Sequence, residues 1–216
     1  MQQSQLNFAL LCRIELLILT PMKRNTIFAG VLFVLLTAGC SRGGNADRVV
    51  VETRIGDIVV QLYPGKAPRS VAAFLSFVDS GYYDNCSFYR ILSAIISQWG
   101  LLLPSFIQGG VYKTGKDRSY LRGIPHEPTS VTGLKHENGT VSLARDEPGT
   151  ATTEFFICLG DNPGFDFGGK SNPDGQGYAA FGKVIEGMDI VNRIYNRPEN
   201  NQAFTPPVTI IKIYRQ

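Results

Sequence analysis

Short runs of β-branched and aromatic residues, separated by Gly, Pro, Asn and Asp, dominate the chain from residue 48 onward. Residues 48–54 and 58–63 are valine-rich and joined through Gly56-Asp57, so the body is expected to open with an antiparallel hairpin. Pro68 then starts a run in which Val71, Phe74, Leu75 and Val78 recur on one helical face, and Gly81 is placed to stop it. A second helix is predicted over 188–195, and further strands over 86–92, 105–108, 140–144, 154–159, 179–184 and 208–214. Many short strands, two helices and no strand–helix alternation predict a mainly β fold: a closed antiparallel sheet capped by helices, not a doubly wound sheet.

Composition adds few constraints on the body and more on the leader. The 216 residues are 44% hydrophobic and 18% charged, the balance of a globular chain able to bury a core. Of the formal charge of +3, residues 1–39 hold +2 (Arg13, Lys23 and Arg24 against Glu15), leaving about +1 for the rest and no basis for a nucleic-acid partner. Twenty-three glycines and twelve prolines agree with many turns. Met22-Lys23-Arg24 followed by the uncharged apolar run 26–38 has the layout of an export signal and is too short to span a bilayer comfortably. Leu36-Thr37-Ala38-Gly39-Cys40 resembles a bacterial lipobox, with Thr37 departing from the usual Leu or Val; Cys40 is therefore the expected lipidation site. An ordinary signal-peptide end with a free thiol is the alternative. Residues 1–21 fit poorly into a single signal, and Met22 is the expected initiator. The expected organisation is a leader over 1–39, a tether over 40–47 and one body over 48–216, exported to the cell envelope and held at the membrane through Cys40. Cys86 and Cys158 fall at strand positions, where buried free thiols are common; outside the cytosol a disulfide between them is permitted but not implied.

Candidate chemistry gathers at Arg90, Gln108 and Phe156, each on a short apolar strand. A guanidinium and an amide beside an aromatic ring, without a nucleophile in good context, suit chemistry done by hydrogen bonds and shape. Gly164–Ser171 satisfies the phosphate-loop pattern, but Asn172-Pro173-Asp174-Gly175 follows where that loop needs a helix, so no nucleotide is expected. Asp161, Asp166 and Asp174 lack calcium-loop spacing, and His126-Glu127 and His136-Glu137 do not form a zinc motif, so no metal is expected. No serine lies in a nucleophile elbow.

An ordered series then resembles the cyclophilin-type peptidyl-prolyl cis-trans isomerases over about 48–214. It comprises the first hairpin, Ala67-Pro68, Phe88-Tyr89-Arg90, Gln108-Gly109-Gly110, Gly139-Thr140-Val141-Ser142-Leu143-Ala144, Glu154-Phe155-Phe156-Ile157-Cys158, Phe181-Gly182-Lys183-Val184 and Glu186-Gly187-Met188. The resemblance implies a closed eight-stranded antiparallel barrel capped by two helices, with a substrate groove on its outer wall and no cofactor. It matches Arg90 to the family's catalytic arginine, Gln108 to its substrate-binding glutamine and Phe156 to the floor of the proline pocket. Phe106, Phe165 and Tyr178 fall on the pocket wall, Glu154 at a further substrate-binding position, and Ala144 and Arg145 on the segment whose backbone pairs with the peptide. Phe155 and Phe156 are neighbours, so a strand sends them to opposite faces; the resemblance, not periodicity, assigns Phe156 to the groove.

The implied activity is isomerisation of X-Pro bonds in proline-containing polypeptides. That rotation has a barrier of ~18–20 kcal/mol because amide resonance must be broken. An arginine proton aimed at the pyramidal prolyl nitrogen favours the twisted state over the planar one. The chain departs from the family pattern in an insert over 93–104, and in Ser105, Glu154 and Gly164, which stand where Phe, Gln and Trp are usual. Those departures carry a competing reading: a barrel that binds proline-containing segments with little turnover.

Overall fold

Strand β1 (Arg48–Thr53) pairs on both sides, with β2 (Gly56–Leu62) and with β9 (Ala203–Arg215), and this double pairing closes the sheet. The computed structural model describes residues 47–93 and 105–216; the leader, Cys40, the tether up to residue 46 and residues 94–104 of the insert lie outside the described residues. In chain order the remaining elements are α1 (Pro68–Asp79), β3 (Cys86–Leu92), β4 (Phe106–Gly110), α2 (Thr129–Thr132), β5 (Thr140–Leu143), β6 (Phe155–Cys158), β7 (Ala179–Glu186), α3 (Met188–Tyr195) and β8 (Glu199–Asn200). The barrel runs β1-β2-β7-β5-β6-β4-β3-β9 and back to β1, eight strands, all neighbours antiparallel; the two-residue β8 only extends the edge of β9. Closure removes the free edges that an open sheet of this size would expose.

Alternation along the strands sends Val49, Val51, Ile58, Val60, Ile107, Ile157 and Phe181 into the barrel, where they form the main core. Helix α1 adds Val71, Phe74, Leu75 and Val78 from one face, and α3 adds Val191 and Ile194. Phe74 meets Phe155 edge to face at 5.7 Å, fastening the helix to the sheet. Ala67 precedes α1 and has no side chain to cap it. The buried Glu127, far along the chain, takes over: its carboxylate accepts from the amides of Arg69 (3.1 Å) and Ser70 (2.8 Å) and from the Ser70 hydroxyl (2.7 Å). A negative group on otherwise orphaned amides at a helix start is favourable in both hydrogen bonding and field. The sequence reading found only the absence of a zinc motif at this residue.

Several element boundaries differ from the sequence reading. The tip of the first hairpin is Arg54-Ile55, since Thr53 pairs with Gly56 and Glu52 with Asp57; Gly56 belongs to β2. The Thr53 hydroxyl accepts from the Ile55 and Gly56 amides and donates to the Gly56 carbonyl, so a threonine shapes the turn instead of the Gly-Asp pair. Strand β9 begins at Ala203, five residues before the predicted start. Pro206 and Pro207 offer no N–H to a ladder, and the register against β3 shifts across that stretch. The single turn α2 and the 3-10 turn Pro163–Phe165 were not predicted.

Candidate functional site

Register brings the site together. Arg90 on β3 is paired with Gln108 on β4, Gln108 with Phe156 on β6, and Phe156 with Ser142 on β5, so one cross-strand row crosses four strands. Directly paired residues point to the same face, and here that face is the outside of the barrel. One row over, Leu92, Phe106 and Cys158 are paired in the same way. Phe155 joins the main core, while Phe156 forms a separate cluster with Phe106, Cys158 and Phe165, which settles the side each phenylalanine takes.

All nine residues the sequence pointed to on the body line one open groove of about 430 Å³. Its apolar end is a nest of rings: Phe106 to Phe156 at 5.2 Å, Phe156 to Phe165 at 5.4 Å and Phe165 to Tyr178 at 5.1 Å between centroids. Phe156 is 2% exposed and forms the floor. Behind it the His136 ring stacks at 6.1 Å, held by Asp166 at 2.9 Å from Nδ1 and by the Ser142 hydroxyl at 3.1 Å from Nε2. A carboxylate only accepts, so Nδ1 carries the proton and Nε2 accepts from Ser142. Burial lowers the His136 pKa against the opposing pull of Asp166, keeping the ring neutral.

At the rim the exposed guanidinium of Arg90 lies 5.5 Å over the Phe106 ring. Nη1 donates to Gln108 Oε1 at 3.1 Å, while Nε and Nη2 donate to Gln202 Oε1 at 3.3 and 3.1 Å. Among the described residues no carboxylate is paired with Arg90, so its charge faces the groove uncancelled. Gln202 was missed by sequence reasoning. It comes from the β8–β9 turn, in a left-handed conformation (φ 65°), with its amide donating to Glu199 at 2.8 Å.

The peptide-facing wall behaves differently from what a linear reading of Arg145 suggests. Its side chain is 1% exposed and turned away into the 171–178 loop, where it grips Asp174 at 2.7 and 2.9 Å and the Gly177 carbonyl and stacks on Tyr178 at 5.5 Å. That contact holds the Asp174 carboxyl down to about 2. Arg145 thus buttresses Tyr178, while Ala144 lines the groove and uses its own amide on the Glu154 carbonyl. Glu154 sits deeper, its side chain 12% exposed. Tyr89 is the second residue the sequence reading missed: strict alternation puts it opposite Arg90, but a bulge between Phe88 and Arg90 turns its hydroxyl toward Gln108 Nε2, 2.8 Å away.

Of the residues singled out as departures, Glu154 lines the groove while Ser105 takes a structural position. Ser105 exchanges backbone hydrogen bonds with the Asn162 amide group and does not line the groove. In the 164–171 loop the amides of Gly168, Gly169 and Ser171 bond to carbonyls of the loop and its neighbour Gly175, and no helix follows Ser171. Cys86 and Cys158 are free and buried.

The model of the cyclophilin type peptidyl-prolyl cis-trans isomerase family matches residues 48–215. The chain is 38% identical over 147 residues to a peptidyl-prolyl cis-trans isomerase of Streptomyces antibioticus, covering 68% of this chain and 81% of that protein. It is 36% identical over 173 residues to the peptidyl-prolyl cis-trans isomerase of Acinetobacter baylyi, covering 76% and 83%. Among solved structures, a Cryptosporidium parvum cyclophilin type isomerase in the presence of the dipeptide Ala-Pro superposes with a TM-score of 0.63 at 25% identity, covering 78% of this chain and 98% of that one. With the barrel closed by eight antiparallel strands and the match spanning the whole body, the chain belongs to the cyclophilin-type peptidyl-prolyl cis-trans isomerase family.

Proposed function

We propose that this protein accelerates X-Pro isomerisation in polypeptides folding outside the cytosol, with Arg90 as the hydrogen-bond donor to the prolyl nitrogen in the twisted state. The observation that carries this reading is the placement of an exposed guanidinium, without a carboxylate partner among the described residues, at the rim of a pocket floored by Phe156. The rings of Phe106, Phe156 and Phe165 are sized to hold a pyrrolidine ring still while the acyl side turns. Gln108 presents an amide to the peptide on the same wall. The Ala-Pro dipeptide used with the Cryptosporidium relative supports proline-containing chains as the substrate class. Donation to a nitrogen whose lone pair exists only in the twisted state is differential binding, and it lowers the barrier without a covalent step.

Replacing Arg90 by Ala is expected to lower kcat/KM on an X-Pro peptide at least about tenfold, ~1.4 kcal/mol in the barrier, with the melting temperature kept. Equal turnover by parent and variant removes Arg90 from the mechanism; a parent that binds the peptide without turnover instead supports the binding-module reading.

Residues 1–39 act as the export leader, Cys40 as the lipidated residue and 40–47 as a tether holding the 48–216 body at the membrane surface. The basic Met22-Lys23-Arg24 and the run ending Leu36-Thr37-Ala38-Gly39-Cys40 support this part of the reading. Expressed in a bacterial host, the parent is expected in the membrane fraction and Cys40→Ser in the soluble one; unchanged fractionation refutes anchoring.

A further inference from the structure

The groove wall holds a carboxylate that the chemistry above does not use. Glu154 Oε2 accepts from the Tyr89 hydroxyl at 2.8 Å, and Oε1 accepts from the Val111 amide at 3.0 Å and the Thr153 hydroxyl at 3.1 Å. Its seat is built into the backbone: a Cβ on Gly110 (φ +145°) would run into this carboxylate.

The direction of every hydrogen bond in the row follows from its two charged ends, a carboxylate that only accepts and a guanidinium that only donates. An ionised carboxylate only accepts, so the single Tyr89 hydroxyl proton points at Glu154. The Tyr89 oxygen is then left with lone pairs for Gln108, so the amide end 2.8 Å away is the NH2 group. An amide that turns its NH2 to Tyr89 turns its carbonyl oxygen to Arg90, where Nη1 donates to it at 3.1 Å. Protonation of Glu154 on Oε2, the oxygen facing Tyr89, reverses the sequence. The carboxylic acid donates to Tyr89, Tyr89 donates to the Gln108 oxygen, and the amide must present NH2 to a guanidinium that has only donors.

We propose that Glu154 and Tyr89 are positioning residues that fix the orientation of the Gln108 amide and, through it, the aim of Arg90 into the groove. The inference rests on the reading of Arg90 and Gln108 given above. The other charged group facing Glu154 is the Arg118 guanidinium, 3.8 Å from Oε1 on the loop after β4. Tyr83, Cys86 and Tyr89 face it from the α1–β3 connection and β3, and burial pushes all three upward, so they stay neutral. Burial also holds the Glu154 pKa above the ordinary glutamate value, against the pull of its donors and of Arg118. Reversal therefore begins at a higher pH than the titration of surface carboxylates.

The test is magnetisation-exchange NMR on an X-Pro peptide from about pH 4 to pH 8, which needs no coupling protease, on the parent, Tyr89→Phe, Glu154→Gln, Gln108→Leu and the Tyr89→Phe/Gln108→Leu pair. Tyr89→Phe is expected to lower kcat/KM about fivefold in the parent and less than about twofold in the Gln108→Leu background. The parent is expected to lose kcat/KM on the acid side, and Glu154→Gln and Gln108→Leu to lack that loss. The Gln108 side-chain NH2 resonances of the parent are expected to shift with the same titration, a readout that needs no turnover. Equal effects of Tyr89→Phe in both backgrounds, an acid loss that survives in Gln108→Leu, or Gln108 resonances that ignore pH each overturn the relay. If Arg90→Ala keeps full turnover while the Gln108 resonances still titrate, the relay's orientation step stands and the Arg90 mechanism is what has failed.

Discussion

Gln202→Ala isolates what holding the guanidinium is worth. The side chain gives Arg90 one acceptor oxygen shared by two N–H groups at 3.3 and 3.1 Å, on the side of the guanidinium away from Gln108. Backbone strain does not confound the change, because alanine at φ 65° meets the same left-handed penalty as glutamine. Neither is a buried partner orphaned, since Arg90 is exposed and water replaces the lost oxygen. The loss is therefore one solvent-facing hydrogen bond to a charged donor, about 0.5–1 kcal/mol, all of it in the positioning of Arg90. Converted at 1.36 kcal/mol per decade, kcat/KM on an X-Pro peptide should fall by roughly two- to fivefold. The melting temperature should not move, because among the described residues this side chain hydrogen-bonds only to Arg90. Turnover unchanged in Gln202→Ala while Arg90→Ala is impaired would show that Arg90 finds its aim without this clamp; a large fall in melting temperature would place Gln202 in the fold instead.

Glu127→Ala removes the acceptor for two helix-start amides and a buried hydroxyl, so a loss of about 2–3 kcal/mol is expected. For a domain of this size that is roughly 5–10 °C in Tm by calorimetry, and a shift under about 1 °C would refute the capping role. His136 has a pKa below its ordinary 6.5 in the folded state, so the unfolded chain takes up the proton first on acidification. Its contribution is complete above 6.5 and is lost as pH falls from there through the folded value. Urea midpoints should therefore decline on the acid side in the parent and decline less in His136→Gln; parallel curves would refute the assignment.

How much of the site was legible depends on whether a residue's partner lies along its own strand or across the fold. Helix α1, β3 and α3 were placed to their ends, because periodicity and terminator residues are local signals. The hairpin tip was misplaced by two residues because a Thr53 side chain does the work usually read from glycine. Arg90, Gln108 and Phe156 were found through the resemblance, and their direct pairing gives a physical reason why they share a face. Tyr89 was hidden by its bulge: one extra residue cancels the period-two rule on which a reading of faces depends.

Taken alone, the sequence determined the class of fold, the order of most elements and the residue types able to meet a prolyl peptide, since hydrophobic period, turn residues and family motifs are written along the chain. Tertiary structure alone decided that Arg145 reaches Asp174, that Glu127 caps a helix from 57 residues away and that Gln202 reaches Arg90 across 112 residues. Those contacts depend on barrel closure and strand register, which come from the summed packing of all eight strands and leave no trace at any single position.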